Sequence, residues 1–291
     1  MKKLGIYGQY IQDGSLEVVK TLLDFFENRD CDITIEMEYH QMLRKNNVAQ
    51  NIKSFSKLDE FYDGLISIGG DGTILRAVGF VGSSDIPVIG INTGRLGFLA
   101  TVKVEHLKES MEALLQGKYC LSKRSLITAS SSLNAEELFD RNFALNEVTV
   151  SRMNTTSMIQ IETRLNGDFL TSYWADGLII STPTGSTGYS LSCGGPVISP
   201  NTCGFVVTPI APHNLNARPL VIPDDTEITL KISGRENEFL TSLDNRIYSF
   251  PNETIITLKK ADFTIDLVQL EEQSFIKTLR HKLLWGEDKR N

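Results

Sequence analysis

The residues best suited by type and spacing to do chemistry are Gly69-Gly70-Asp71-Gly72-Thr73. Three glycines in four positions let the backbone take positive φ and approach a ligand closely. The amides of such a turn, beside a helix N-terminus, attract anions. Asp71 is the single carboxylate among them, where it would repel phosphate unless a metal ion or a reacting hydroxyl lay between. That combination points to phosphoryl transfer. The same residues also suit a plain strand-to-helix turn with a solvated Asp71.

A second stretch runs from Asp176-Gly177 through the apolar Leu178-Ile179-Ile180 into Ser181-Thr182-Pro183-Thr184-Gly185-Ser186-Thr187-Gly188-Tyr189-Ser190. Small hydroxyls and free amides can read ribose hydroxyls, adenine edges or phosphates, and Tyr189 adds a flat ring and a phenol. The alternative is a helix-capping loop, with Ser186 or Thr187 as the expected cap of a short helix. Gly194-Gly195-Pro196 follows, a turn that lets backbone pass close to something bulky. Asn146-Glu147 precedes an apolar strand; an amide recognises a base edge and a carboxylate accepts two hydrogen bonds from a ribose diol. Asn-Glu is also common in turns.

These residues need elements to place them. Residues 4–7 read as a strand, 16–28 as an amphipathic helix, 33–37 as a strand, and 65–68 and 88–92 as two short apolar strands. The alternation predicts an open parallel sheet with ligands at the strand carboxyl ends, where both Gly69–Thr73 and Asn92-Thr93-Gly94 fall. Residues 104–115 read as a helix with Leu107, Met111, Leu114 and Leu115 on one face, stopped by Gly117. From 119 to about 270 the pattern is short strands, the last at 263–267, divided by turns such as Asn166-Gly167 and Asp244-Asn245, which predicts an antiparallel β domain. Residues 274–284 return to helix, expected to pack back on the first domain. The fold class is therefore an N-terminal α/β domain with an open parallel sheet and a C-terminal, mostly antiparallel β domain. The expected division is 1–100 plus 271–291, and 101–270.

Bulk properties narrow the class. A chain of 291 residues supports two cores, and a net charge of −7 argues against a dedicated nucleic-acid binder. Cys31, Cys120, Cys193 and Cys203 are scattered, so no disulfide or metal framework follows and a reducing cytoplasm is expected. Met1-Lys2-Lys3 leads straight into the first strand without a signal-peptide core, and no apolar run approaches the ~20 residues that span a membrane. There is no GxGxxG and no GxxxxGK[ST]. His40, His106, His213 and His281 show no ligand spacing, so no protein-held metal is expected; His213 alone invites a functional role.

Taken in order, Gly69–Thr73, Asn92–Phe98, Asn146-Glu147, Asp176–Tyr189, Gly194–Pro196 and His213–Val221 resemble the NAD kinase family over roughly residues 60–222. The Gly-Gly-Asp-Gly turn is shared with lipid kinases and phosphofructokinases; the Thr-Pro-Thr-Gly-Ser-Thr loop with Asn-Glu is far more specific. The resemblance implies transfer of the terminal phosphate of ATP, or of another donor such as polyphosphate, to the 2′-hydroxyl of the adenosine ribose of NAD. It implies Asp71 as base, with Gly69, Gly70, Gly72 and Thr73 at the donor phosphates. It assigns NAD contacts to Asp71, Gly72, Asn92, Phe98, Asn146, Glu147, Asp176, Thr184, Thr187, Gly188, Tyr189, Ser192, Ala211 and Asp244. It further implies Mg²⁺ or another divalent ion with the donor, and a cytoplasmic homodimer or homotetramer in which Asp176 and Ala211 serve a neighbour's site. Neither nucleic acid nor membrane is an expected partner. A kinase for a lipid or sugar alcohol, or a non-catalytic NAD(P) sensor, would use the same features. Three departures stand out: Gly188 for the usual Ala, Asp244-Asn245-Arg246 for Asp-Gly-Gln, and Trp174 where many relatives carry a basic residue.

Overall fold

A computed structural model describes residues 1–11, 14–94, 97–133, 141–154, 157–270 and 273–284. It comprises two units, Met1–Lys123 with Ile265–Asn291, and Arg124–Thr264.

The first unit follows a βα alternation: β1 (Lys3–Gly8), α1 (Ser15–Phe26), β2 (Asp32–Glu36), α2 (Met37–Lys45), β3 (Lys53–Phe55), β4 (Gly64–Gly69), α3 (Asp71–Val81), β5 (Val88–Asn92), β6 (Val102–Lys103), α4 (Leu107–Leu115) and β7 (Tyr119–Arg124). The sheet order is β3-β2-β1-β4-β5, then the strand Ile265–Leu270, then β7, with β6 also pairing β5. Strands β1 to β5 pair in parallel. Every residue of β4 and β5 is buried, as expected for inner strands covered on both faces. The strand order reverses at β1, and the carboxyl ends beside that point are where open sheets of this kind take ligands.

Three expectations need correction. The strand foreseen at 33–37 stops at Glu36, because the Glu36 carboxylate caps α2 by accepting the N–H groups of Glu38 (3.0 Å) and Tyr39 (2.9 Å). The domain boundary foreseen after residue 100 lies at Lys123/Arg124. Val102 pairs with Ile91, and α4 buries Leu107, Met111 and Leu114 in the first unit's core. The strand foreseen at 263–267 in the antiparallel domain is Ile265–Leu270, which pairs in parallel with β5 through Leu267 and Val88. A short apolar run reads alike in either sheet, so periodicity cannot decide its partner. The closing helix Phe275–Leu283 belongs to the first unit as foreseen: Ser274 caps it through the Lys277 N–H, Leu279 is buried, and Phe275 meets Phe98 at 6.3 Å between ring centroids.

The second unit holds two six-stranded antiparallel sheets. One runs Leu220–Pro223, Gly204–Ile210, Gly177–Ser181, Glu147–Arg152, Glu238–Leu243, Arg246–Pro251. The other runs Asp168–Ala175, Ile159–Leu165, Ile228–Ser233, Ile255–Lys260, Ile127–Ser131, Phe143–Ala144. Both feed one core that includes Ile161, Ile180, Phe205, Leu230, Phe239 and Phe250. The Asn166-Gly167 hairpin has positive φ at both turn residues, as a tight two-residue loop requires. Among the described residues no helix is long and apolar enough to cross a membrane.

Candidate active site

In the glycine turn of the first unit the close approach is at Gly69, whereas a Cβ at Gly70 or Gly72 would meet nothing within 4 Å. Gly69 ends β4 with φ of 150°, and a Cβ there would lie 2.2 Å from Thr73 Oγ1. The N–H groups of Thr73 and Ile74 already turn back to Gly70 O, so the amides before them, at the mouth of α3, are the ones an anion meets. Asp71 is the first residue of α3. Its carboxylate does not stand free: Oδ2 accepts the Phe98 N–H (2.7 Å), and Oδ1 accepts those of Leu99 and Ala100 (both 3.0 Å). Gly97 is required by this latch, since a Cβ on it would fall 1.8 Å from Asp71 Oδ1. With three acceptor positions filled by the described residues, one lone-pair direction of Oδ2 is left among them for a ligand.

Asn92 is buried at the end of β5, where Oδ1 accepts the Gly94 N–H (2.7 Å) and Nδ2 donates to Ala100 O (3.4 Å). It holds the same loop that Asp71 holds. Phe98 is half-buried against Phe275. A cavity of about 570 Å³ opens beside Asn92-Thr93-Gly94 and is flanked by Lys103 and His106. Of the expected motif Asn92–Phe98, positions 95 and 96 lie outside the described residues.

In the second unit the Asn146-Glu147 backbone is gripped from two sides. Thr182 N–H donates to Asn146 O (2.9 Å), Thr182 Oγ1 donates to Leu145 O (2.5 Å), and Gly185 packs so closely that a Cβ would sit 2.1 Å from Asn146 O. From the other side, the Asp244 carboxylate accepts the N–H groups of Leu145 (2.9 Å), Asn146 (2.7 Å) and Glu147 (3.3 Å). The Glu147 carboxyl, by contrast, has a buried Oε2 with no hydrogen-bond partner among the described residues. Burial, with the Asp244 charge beside it, pushes its pKa from the usual 4.5 to about 8, against a smaller pull from the Tyr189 N–H. A buried polar atom left unpaired costs free energy unless a ligand supplies the partner.

The hydroxyl-rich loop sends much of its polarity inward. Ser186 Oγ donates to Pro183 O (2.7 Å), Ser190 and Thr208 share a hydrogen bond (2.8 Å), and buried Thr184 takes one from Arg124 (3.5 Å). Neither Ser186 nor Thr187 caps the short helix Tyr189–Ser192; its N-cap is Gly188, with no side-chain bond. The groups left facing outward are Tyr189, Ser192 and part of Thr187 and Gly188. The Tyr189 phenol is raised by burial and by nearby Cys193, Asp176 and Glu147, which places it beside both acids. Asp176 pairs with Arg152 at 2.9 Å. Ala211, an exposed non-glycine residue, holds φ of 43°, a strain that recurs at binding sites. His213 is exposed and contributes its backbone N–H to Trp174 O.

Sequence reasoning missed Arg124. It is only 9% exposed, burial lowers its pKa to about 10, and among the described residues no carboxylate pairs with it. A single cation in a strand of mixed polarity carries no signal of burial.

Thus a phosphate-type turn with a latched acid lies in one unit, and in the other a backbone-locked Asn-Glu pair beside a tyrosine. The chain matches the ATP-NAD kinase N-terminal domain over residues 4–119 and the ATP-NAD kinase C-terminal domain over residues 145–270. It is 54% identical to the NAD kinase of Flavobacterium psychrophilum, covering 99% of this chain and all of that one, and 42% identical to the NAD kinase of Bacteroides fragilis, covering 99% of each. The fold is that of yeast NADH kinase crystallised with NADH, at a TM-score of 0.87 and 21% identity over 99% of this chain and 89% of that one. The Archaeoglobus fulgidus NAD kinase crystallised with ATP gives a TM-score of 0.73 at 24% identity, over 97% and 98%. Shared domains along both units, together with full-length relatives at this identity, mean that the chain belongs to the NAD kinase family.

Proposed function

We infer that this chain transfers the terminal phosphate of ATP, or of another phosphoryl donor, to the 2′-hydroxyl of the adenosine ribose of NAD, giving NADP. The observation that carries this reading is Glu147: a buried carboxyl with an unpaired oxygen, next to an amide side chain, on backbone whose own hydrogen bonds are already made. Such a pair leaves the Glu147 Oε2 for a ribose diol and the Asn146 amide for a base edge. Tyr189 supplies a ring at the same place. Asp176, Thr187, Gly188, Ser192 and Ala211 belong to the same reading as dinucleotide contacts, the first and last serving a neighbouring copy in a homodimer or homotetramer. Thr184, Asn92 and Asp244 support their surroundings through inward bonds.

The donor's phosphates meet the amides at the start of α3, and the substrate hydroxyl meets the open position on Asp71 Oδ2. A ribose hydroxyl is far too weak an acid for a carboxylate to deprotonate beforehand. In a loose phosphoryl-transfer transition state the proton leaves late, so Asp71 orients the hydroxyl and takes the proton as the new P–O bond forms and the donor's bridging P–O bond breaks. The latch on residues 98–100 fixes that carboxylate in place. Among the described residues no three His, Cys, Asp or Glu side chains are placed to hold an ion. In this reading Mg²⁺, or another divalent ion, arrives with the donor's phosphates.

A coupled assay for NADP, run with ATP and with polyphosphate, and with NAD, diacylglycerol and fructose 6-phosphate as acceptors, tests the reading. NADP formation from NAD is expected; phosphorylation of another acceptor instead would refute it. Asp71→Asn is expected to lower kcat by roughly 10²-fold with NAD binding largely intact. Near-normal turnover in that variant would remove Asp71 from the chemistry.

A further inference from the structure

We propose that Asp244 is a positioning residue: it makes no contact with the dinucleotide but fixes the Leu145–Glu147 backbone, so that Asn146 and Glu147 present their side chains to the ligand. The proposal deepens the NAD kinase reading and rests on it.

The geometry is that of a two-way clamp. Asp244 begins the two-residue turn between strands Glu238–Leu243 and Arg246–Pro251, with Leu243 opposite Arg246. It holds a left-handed φ of 52°, and its side chain reaches back to the amides of Leu145, Asn146 and Glu147. Its two oxygens receive three successive amides at 2.7 to 3.3 Å, and its own N–H donates to Glu147 O at 3.0 Å. The side chain is only 3% exposed. A carboxylate so enclosed, with three donors on it, has little surface left for a substrate.

The residues around it brace the clamp. Arg246 is the first residue of the strand that follows the turn. It donates to Arg141 O (2.8 Å) and Phe143 O, its guanidinium covers the Phe143 ring at 5.6 Å, and it lies 4.0 Å from Asp244 Oδ2. It therefore braces the strand Phe143–Ala144 immediately before the clamped residues and partly balances the Asp244 charge. On the far side, Thr182 holds Leu145 O and Asn146 O. Between these two grips the backbone of residues 145–147 has one conformation available.

The clamp has a second consequence. Burial raises the Asp244 carboxyl against the pull of its three amides and Arg246, and once ionised it places a negative charge beside Glu147, while Tyr189 gives Glu147 a backbone N–H and shares its field with Asp176 and Cys193. A diol donates to the ionised form of Glu147. The KM for NAD in the wild type therefore falls as pH rises and levels off near the Glu147 titration. Without the Asp244 charge the levelling-off moves to lower pH.

Steady-state kinetics on the full-length chain test this. Asp244→Asn keeps the shape but turns an NH₂ toward amide donors. It is expected to raise KM for NAD about tenfold or more, to keep kcat at saturating NAD within about twofold, to leave KM for ATP unchanged and to shift the pH profile of KM for NAD downward. Thr182→Val removes the opposite grip without touching charge; it should raise KM for NAD with the pH profile unmoved, and it tests the clamp even if Asp244→Asn does not fold. A fall in kcat at unchanged KM in Asp244→Asn would make it a catalytic residue. An unshifted pH profile, or a normal KM in either variant, would overturn the proposal. An inactive wild type would instead overturn the NAD kinase reading itself.

Discussion

Glu147 shows how one buried side chain can cost the fold stability. In the unfolded chain its carboxyl loses its proton near 4.5, whereas in the folded chain it keeps it until about 8. Between those values the folded chain holds the Glu147 proton more tightly than the unfolded one, so the contribution of Glu147 to stability is greatest below 4.5, falls as pH rises through the window, and levels off above about 8. The loss at pH 8 is on the order of 4 kcal/mol. Glu147→Gln, which never ionises, is therefore expected to melt several degrees above the wild type at pH 8 and close to it at pH 5, while its KM for NAD rises. Thermal melts across pH would show this directly. Equal melting temperatures at pH 8 would mean that Glu147 ionises freely in the folded protein. A residue that destabilises the empty protein and is retained in the site is best understood as held for its ligand.

At the scale of elements, the site depends on close approaches that only glycine permits. Gly185 faces the backbone carbonyl of Asn146, which cannot rotate aside, whereas Gly97 faces the side-chain oxygen of Asp71. Gly185→Ala is thus expected to destabilise the second unit by about 2 kcal/mol or more in urea unfolding, because the loop and the strand Glu147–Arg152 must separate. Unchanged stability would show that the loop has room the structure does not display. The same contrast explains what the sequence made legible. The turn Gly69–Thr73 and the loop around Thr187 and Tyr189 announce themselves because glycines, hydroxyls and an aromatic lie within a few positions. The latch from Asp71 to Phe98 spans 27 residues and the clamp from Asp244 to Asn146 spans 98, so neither leaves a local pattern. Hydroxyls that look available in the loop turn inward for the same reason: Ser190 finds Thr208 only after the sheet has formed. The helix Met37–Lys45 escaped notice because its buried face is only Tyr39, His40 and Leu43.

Over the whole molecule, chain order and spatial order agree in one unit and part in the other. Every member of the second unit's core lies between Ile127 and Leu258, so residues 124–264 contain all the apolar surface that core needs. The first unit's core draws on Val268 as well as Leu4 to Leu114, and its sheet takes the strand Ile265–Leu270 between β5 and β7. A fragment ending at Lys123 lacks an interior strand, leaving an unpaired sheet edge and uncovered apolar side chains. Fragment 124–264 is therefore expected to unfold cooperatively in urea with strand-rich circular dichroism, whereas fragment 1–123 shows no cooperative transition until a peptide covering 265–284 is supplied. A cooperative transition in 1–123 alone would mean the central strands suffice without their late partner. The physical reason to expect otherwise is that β5, beside the missing strand, is buried along its whole length. Once water reaches it, the hydrophobic gain of an inner parallel strand is lost on one side while its ordering entropy must still be met.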